Sequence, residues 1–359
     1  TTVGATTAND LLRSAPAPAR PALGVYRFGA PSGIENVNRY SAWIGRDVDL
    51  AQDFVPAENR PGVAGWDQFH PAGDGSHWML DAWRDWMAAR PGRNLVLTVP
   101  MLVPYSPGSG GRPWEAGRAD RERIAAELRR GAAGEFDDHF EALAEALVAR
   151  GMNRVKLRIG HEAHGDWYRH QYGPDPEAWK AYFRRIVGVL RAVPGQAFEV
   201  NWNLGPGAST RDIDGTIVPP DRAWPGDDVV DSIGLDVYWS ATTWDAIRRG
   251  EGLVQGADGA GYGLDWAARF AAERGKPLTI PEWGCWSPET CPDDDGTAGR
   301  FIQHMYDWMK ANEVAWHVYH DVNHRADSAG APTDHRLSTP TNYPEASALY
   351  RRLFGAPTR

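Results

Sequence analysis

Residues 155–168 read VKLRIGHEAHGDWY, and this stretch decides the fold that we expect for the whole chain. Its first half is an apolar run alternating with basic residues, which is typical of a β-strand. The pattern stops at His161-Glu162, and small residues and the aromatic pair Trp167-Tyr168 follow. An aromatic ring can pack on the apolar face of a sugar. A carboxylate at a strand end, followed by glycine and tryptophan, therefore indicates a site for chemistry on sugars.

A second stretch, KPLTIPEWG at residues 276–284, has a similar design. A short apolar pattern ends at Glu282, and Trp283 and Gly284 follow directly. We predict that the fold brings Glu162 and Glu282 together.

The composition is compatible with an enzyme domain and argues against other classes. Hydrophobic residues make up 42% of the 359 residues, which is enough for a full core. The net charge is −9 and no basic cluster is present, so we expect no nucleic-acid partner. The 17 tryptophans exceed average usage and suit a cleft that stacks on sugar rings.

The sequence contains no run of about 18 apolar residues, so we expect no membrane insertion. Thr1–Arg20 is rich in threonine, alanine and proline, like a linker left after a secretion signal is removed. We therefore divide the chain into an N-terminal extension at residues 1–22 and a catalytic domain at residues 23–359, and we expect a secreted, extracellular protein. A shortened cytosolic protein is the alternative.

The two cysteines, Cys285 and Cys291, bracket a five-residue loop. With no other thiol in the chain, this spacing favours a local disulfide, which suits an extracellular protein. The alternative is a pair of free thiols. A zinc site is not expected, because no further cysteine or histidine completes the motif.

Strand and helix patterns alternate along the chain. Strands are predicted at residues 23–28, 48–55, 94–101, 155–159, 197–203, within 229–239, 277–282 and 314–320. Helices are predicted at residues 34–44, 78–89, 134–151, 175–193, 264–274, 297–312 and 344–354. Such alternation predicts a parallel sheet, and eight strands without a break in composition favour a single-domain α/β fold, the (β/α)8 TIM barrel. An open nucleotide-binding sheet has little support, because no glycine-rich phosphate loop follows the first strand.

In such barrels the active site lies at the C-terminal ends of the strands. Glu162 ends the fourth predicted strand and Glu282 ends the seventh, so both side chains should face the same mouth. Two carboxylates that face each other across a sugar can hydrolyse a glycosidic bond. One must be protonated to donate to the leaving oxygen, and the other must be ionised, so their environments must differ.

Four segments carry a resemblance to a known family. Arg158-Ile159-Gly160-His161-Glu162-Ala163-His164-Gly165-Asp166-Trp167 matches the pattern Arg-x-x-His-Glu-x-Asn-Gly-x-Trp. The others are PGDDVVDSIGLDVY at residues 225–238, Lys276-Pro277 with Glu282-Trp283-Gly284, and Trp43-Ile44-Gly45-Arg46. In this order and spacing they resemble the clan A retaining (β/α)8 glycoside hydrolases, and within that clan glycoside hydrolase family 26, the β-mannanase family. The resemblance spans residues 24–354.

The resemblance implies a role for each central residue. Glu162 would be the general acid/base and Glu282 the nucleophile, with carboxyl groups about 5–5.5 Å apart in the retaining geometry. His161 would contact the substrate or support Glu162. Tyr238 would hydrogen-bond to Glu282, and Arg158 would lie beneath Glu282 and favour its ionised form.

Further residues are candidates for binding the sugar. Trp167, Trp283 and Trp286 are interpreted as aromatic platforms because they lie beside the two glutamates in sequence. Asp236 is interpreted either as a structural carboxylate or as a substrate contact.

The sequence departs from the family pattern at His164, which replaces the usual asparagine. Four further polar residues could read a substituted or acidic sugar: Arg169, His170, His317 and His320.

We predict no catalytic metal and no other cofactor. The segment His161-Glu162-Ala163-His164 invites comparison with a zinc motif, but that motif needs two histidines at i and i+4 on a helix. Here the spacing is i and i+3, and the segment leaves a strand. The acidic run at residues 293–296 is interpreted as a solvated loop, with a calcium site as the alternative.

We therefore expect a secreted retaining glycoside hydrolase whose partner is a polysaccharide or oligosaccharide, and whose first-ranked substrate is β-1,4-mannan. The same chemistry on a β-1,3/1,4-glucan, a β-xylan or a bacterial exopolysaccharide stays open. Two other classes also stay open, a non-catalytic carbohydrate-binding barrel and a metal-dependent hydrolase. We expect a monomer.

Overall fold

The structure is a computed structural model that describes residues 20–59, 61–104, 117–256, 259–327 and 332–356. Residues 1–19 of the predicted N-terminal extension lie outside these ranges, so its role as a linker stays a prediction. Within the described ranges, no helix combines the length and the apolar character needed to cross a membrane.

Parallel strands form one closed sheet. The strand segments are β1 (Ala22–Tyr26), β2 (Leu50–Phe54), β3 (Asn94–Val99), β4 (Lys156–Ile159), β5 (Glu199–Leu204), β6 (Ser232–Leu235), β7 (Val237–Trp239), β8 (Leu278–Cys285) and β9 (Trp316–His320). Segments β1 to β6 pair in chain order, β1 also pairs with β9, and β9 pairs with β8. Both β6 and β7 pair with β8, so they are two pieces of one barrel strand, interrupted at Asp236. The sheet is thus an eight-stranded barrel, and the predicted (β/α)8 fold is confirmed.

The helices pack around the outside of this barrel. They are α1 (Ser32–Ile44), α2 (Trp78–Ala88), α3 (Arg118–Ala132), α4 (Asp137–Ala149), α5 (Pro176–Ala192), α6 (Trp244–Arg249), α7 (Leu264–Glu273), α8 (Thr297–Ala311), α9 (His324–Asp327) and α10 (Pro344–Phe354). The large hydrophobic core lies between helices and strands. A second, small cluster of Leu50, Val96, Trp316 and Val318 fills the barrel interior below the site.

Local sequence explains where the helix after the fourth strand begins. The Asp175 carboxylate accepts a hydrogen bond from the Ala178 N–H at 3.0 Å, and Pro176 occupies the first turn. Such a cap satisfies an amide that would otherwise lack a partner in the first turn. Helix α5 therefore starts at a fixed point, which fixes the length of the loop that carries Glu162.

A β-bulge in β8 decides which way Glu282 faces. Ile280 pairs with His317 and Trp283 pairs with Tyr319, so β8 has one more residue than β9 between these two pairs. Side chains alternate between the two faces of a strand, and an extra residue changes the phase of that alternation. The bulge therefore turns Glu282 into the barrel mouth and Trp283 toward the surrounding helices.

Candidate active site

A cavity of about 790 Å³ opens at the C-terminal ends of the strands, and both Glu162 and Glu282 line it. Asp236, at the break between β6 and β7, lines it too. One carboxylate oxygen from each of the three residues lies within 4.8 Å of the others. The fold thus brings together the two glutamates that the sequence singles out.

The loop that carries Glu162 leaves β4 through an unusual backbone conformation. Gly160 and Glu162 have φ angles of 57° and 50°. Residues other than glycine rarely adopt this left-handed backbone conformation, and those that do cluster at functional sites. The Glu162 N–H donates to the Asn203 carbonyl oxygen at 3.2 Å, which ties the loop to β5. The Glu162 side chain accepts a hydrogen bond from Trp167 Nε1 at 3.0 Å.

Glu282 is surrounded by hydrogen-bond donors. The Arg158 guanidinium forms an ion pair with its Oε1 atom, and Gln52 Nε2 donates to the same oxygen at 3.3 Å. The Tyr238 hydroxyl donates to Oε2 at 2.9 Å. Charge-assisted hydrogen bonds of this kind are strong, so they hold the Glu282 carboxylate in a fixed orientation. The predicted contacts of Arg158 and Tyr238 with Glu282 are present.

Arg158 also connects Glu282 to Asp236. Its guanidinium forms a second ion pair with Asp236, and its Nε atom donates to Asn203 Oδ1 at 3.0 Å. Asn203 in turn donates to Asp236 Oδ1 at 2.9 Å. Asp236 therefore has the structural role of balancing a buried cation, and because it also lines the cavity, its contact with the substrate stays a prediction.

The environment of Glu162 favours its protonated form. The pKa of Glu162 is raised to about 7, mainly by burial and secondly by the negative charge of Glu282. Arg158 opposes this effect, but its ion pairs are to Glu282 and Asp236. Burial and the charge of Glu282 also raise the pKa of Tyr238 well above its usual value, so the hydroxyl keeps its proton and donates. One glutamate is therefore suited to give a proton, and the other to attack.

The predicted binding residues fall into three groups in the structure. Four of them line the cavity: Trp167, Asp236, Tyr238 and Trp286. Arg158 and His161 lie beneath it and are buried, with His161 packed against Phe54 and Tyr168. The remaining two, Trp283 and His317, are not at the cavity.

The expectation that Trp283 and His317 contact the substrate is wrong. Trp283 is completely buried, and its Nε1 atom donates to His317 Nδ1 at 3.0 Å. Both rings pack against Phe354 in the helix layer. The reason is the alternation of side chains along β8 and β9, because neighbours of the inward-facing Glu282 and Val318 must face outward.

Of the other polar candidates, some line the cavity and others do not. His320 and His164 line the cavity. Arg169 instead forms an ion pair with Glu127, and His170 is buried with its Nε2 atom hydrogen-bonded to the His161 carbonyl oxygen at 2.8 Å. Burial lowers the pKa of His164 to about 3, so this ring is neutral where the family pattern has a neutral asparagine.

Several contributors to the site were missed from the sequence. Gln52 and Asn203 lie on β2 and β5, where a polar residue in a buried strand is a usable signal. His324 and His335 come from the segment after β9 and carry no local pattern. Only the fold brings these two histidines to the cavity.

Two groups of described residues have the donor atoms and spacing to hold a metal ion. One is the carboxylate group of Glu162, Asp236 and Glu282, and the other consists of His320, His324 and His335. His164 of the segment compared with a zinc motif accepts a hydrogen bond from the Gly205 N–H through Nδ1 at 2.9 Å, which occupies that nitrogen.

The loop beyond β8 is held in place by a disulfide and by the hydrogen bonds of Asp293. Cys285 and Cys291 form the predicted disulfide. Asp293 accepts hydrogen bonds from the N–H groups of Glu345 and Ala346 at 2.7 and 2.9 Å, and so caps helix α10. This structural role accounts for a carboxylate that was weighed as a calcium ligand.

Comparison with known proteins defines the class. A family model described as glycosyl hydrolase family 26 matches residues 123–249, which include Glu162, Asp236 and Tyr238. Among curated proteins none matches the chain. Together with the barrel and its paired glutamates, the match identifies a glycoside hydrolase of the (β/α)8 type.

The resemblance to family 26 is confirmed, and solved structures of similar fold include members of that family. The modular endo-β-1,4-mannanase of Cellulomonas fimi is 19% identical with a TM-score of 0.60, over 94% of this chain and 71% of that one. The family 26 β-mannanase of Bacteroides ovatus is 16% identical with a TM-score of 0.57, over 93% and 88%. The Bacillus subtilis mannanase is 14% identical with a TM-score of 0.56, over 93% and 86%. At these identities the likeness establishes the shared fold.

Proposed function

We propose that this glycoside hydrolase cleaves β-1,4-mannan with retention of anomeric configuration, by double displacement. The observation that carries the proposal is the position of Glu162 and Glu282. One carboxylate oxygen of each residue lies within 4.8 Å of the other at one cavity, which fits the carboxyl separation of about 5–5.5 Å in retaining enzymes better than the about 6.5–9.5 Å of inverting ones.

In the first displacement, the protonated Glu162 donates its proton to the glycosidic oxygen as the bond to the anomeric carbon breaks. Glu282 attacks that carbon and forms a glycosyl ester. The leaving sugar departs as a neutral alcohol. Arg158 and Tyr238 hold Glu282 in place for the attack.

In the second displacement, Glu162 removes a proton from water, which attacks the anomeric carbon and releases Glu282 as a carboxylate. Esterification of Glu282 removes a negative charge that helped to raise the pKa of Glu162. Glu162 is therefore protonated and can act as an acid before the first step, and it is ionised and can act as a base in the second, because its neighbour has lost its charge.

Mannan is the first choice of substrate because the solved structures of similar fold include mannanases. The cavity has exposed aromatic rings from Trp167 and Trp286, which suit stacking on sugar rings. His164 and His320 make its wall more polar than aromatic platforms alone would. The glucan, xylan and exopolysaccharide alternatives are therefore included in the test.

The test is a screen on β-1,4-mannan, mixed-linkage β-glucan, β-xylan and a bacterial exopolysaccharide. We expect reducing ends and short products from mannan, and loss of this activity in Glu282→Ala. Glu141→Gln, on the exposed face of α4, is the matched control and should retain full activity. Cleavage of another glycan but not mannan would contradict the substrate, and no cleavage of any of them would favour a carbohydrate-binding barrel.

Azide distinguishes the roles of the two glutamates. In Glu282→Ala, azide should take the place of the missing nucleophile and give an α-glycosyl azide. In Glu162→Ala, azide should attack the glycosyl ester and give a β-glycosyl azide. The opposite pattern would exchange the two roles.

We further propose that the protein acts outside the cell, a proposal supported by the Cys285–Cys291 disulfide. Disulfides persist in oxidising compartments and are rare in reducing ones. Fractionation of the producing cells, with activity measured in medium and lysate, tests it. Activity confined to the lysate would contradict it.

A further inference from the structure

Three histidines converge on one wall of the cavity, beside Glu282. His320 ends β9, His324 follows four residues later at the start of α9, and His335 comes from the next segment of the chain. One ring nitrogen from each lies within 4.8 Å of the other two. The mechanism proposed above gives none of these rings a chemical task.

The orientation of the rings leaves nitrogen lone pairs available. His335 Nδ1 is 2.5 Å from the Cys285 carbonyl oxygen, and because a carbonyl only accepts, this nitrogen is the donor. In the neutral ring Nε2 then keeps its lone pair. A backbone carbonyl that fixes a histidine in this way is the usual second partner of a metal-binding imidazole.

The spacing of the other two rings fits one shared ion. His320 Nε2 and His324 Nε2 lie 3.1 Å apart. Two nitrogens bound to one tetrahedral zinc ion at about 2.0–2.1 Å would be separated by about 3.3 Å. A small movement therefore converts this contact into two ligand bonds, and a ring nitrogen of His335 lies within 4.8 Å of the other two rings' ligand atoms.

We propose that His320, His324 and His335 form a binding site for a divalent transition-metal ion of the Zn²⁺ class. Imidazole nitrogens suit such ions, whereas Ca²⁺ and Mg²⁺ prefer oxygen ligands. Three histidines would leave the fourth tetrahedral position open, and all three residues line the cavity.

The site is next to the nucleophile. His320 Nδ1 is 4.0 Å from Glu282 Oε2, so a bound ion would add positive charge beside Glu282 and occupy part of the volume needed by the sugar. Added Zn²⁺ should therefore inhibit hydrolysis competitively with the glycan, and EDTA should restore the rate. Zinc binding itself does not depend on the proposed function, so the two can fail separately.

The test is calorimetric titration of metal-stripped protein with Zn²⁺ alone, in the absence of glycan. We expect one Zn²⁺ per chain and a rise in melting temperature. Both should be lost in His324→Gln and in His335→Ala. His139→Ala is the matched control, because His139 and His70 form a histidine pair with nitrogens 2.7 Å apart, outside both groups of potential ligands.

The carboxylate group at the cavity provides a second control. Glu162→Gln should keep the bound Zn²⁺ if the histidines hold it. The inference is overturned if the wild type binds no Zn²⁺, if the histidine variants bind it as tightly as the wild type, or if Glu162→Gln alone abolishes binding. The melting temperatures of the metal-free variants show whether each one is folded, so loss of binding in a folded variant counts in favour of the site.

Discussion

Glu162 and Glu282 differ in the side chains that contact their carboxyl groups. Arg158 pairs with Glu282 and Asp236, whereas the hydrogen bond to the Glu162 side chain comes from the neutral indole of Trp167. Three carboxylates around one guanidinium cannot all be ionised without a large electrostatic cost. Burial raises the pKa of Asp236 as well, but the charge of Arg158 opposes that rise through their ion pair, so the proton is best held by Glu162, the carboxyl that lacks the ion pair.

This arrangement predicts how activity depends on pH. Because burial and Glu282 raise the pKa of Glu162 to about 7, the protonated form needed in the first step is lost as the pH rises through that value. Activity should therefore fall above about pH 7. In Glu162→Gln the rate on mannan should drop by about 10²–10⁴-fold, and this decline should disappear. A kcat/KM profile of both proteins measures the effect, and an unchanged decline in the variant would contradict it.

The same pKa shift predicts an effect on stability. The folded protein holds the Glu162 proton up to about pH 7, whereas the ordinary value is 4.5, so the wild type loses stability as the pH rises between them. From pH 4 to pH 8, Glu162→Gln should gain about 1–3 kcal/mol in free energy of unfolding relative to the wild type. Denaturant unfolding at both pH values measures it, with Glu141→Gln as the control. A variant that gains nothing would show that Glu162 titrates normally.

Within each strand, the face on which a side chain lies decides whether a predicted residue reaches the site. The bulge in β8 directs Glu282 inward and Trp283 outward. Trp286, three residues later, is 39% exposed and lines the cavity. Two tryptophans that are close in sequence should therefore respond differently to mutation.

Trp283→Ala should lower the free energy of unfolding by about 3–5 kcal/mol, because it leaves a cavity in the core. Trp286→Ala should change stability by about 0.5 kcal/mol or less, and should raise KM for mannan by removing a stacking surface. Denaturant unfolding and initial rates on both variants measure these effects. A stable Trp283→Ala protein with a raised KM would restore the platform role that the structure rejects.

Most elements could be predicted because their patterns are local. The eight strands and the helix after the fourth one follow from hydrophobic periodicity and from the cap at Asp175. Helix α3 was missed, since it is mostly charged and buries little beyond Ile124, Ala125, Leu128 and Gly131. The prediction that Trp283 and His317 reach the substrate is wrong because residues next to each other on a strand face opposite sides of the sheet, so adjacency to Glu282 in sequence does not bring a side chain to the cavity.

Closure of the whole barrel brings together residues that no local sequence pattern connects. Glu162 and Glu282 are separated by more than a hundred residues, and closure of the sheet brings both to the same mouth. The pairing of the two glutamates could be predicted from the fold class, because strand ends meet at one face. The group of His320, His324 and His335 could not be predicted, since His324 and His335 reach the cavity only through the path of the chain after β9.

The central claim is that Glu282 attacks the anomeric carbon and that Glu162 then activates water. Proton NMR of a mannooligosaccharide during the first minutes of hydrolysis tests it most directly, before the product anomers equilibrate. Two displacements invert the anomeric centre twice, so the first product to appear should be the β-anomer. An α-anomer as the first product would contradict the claim, because it would require direct attack by water.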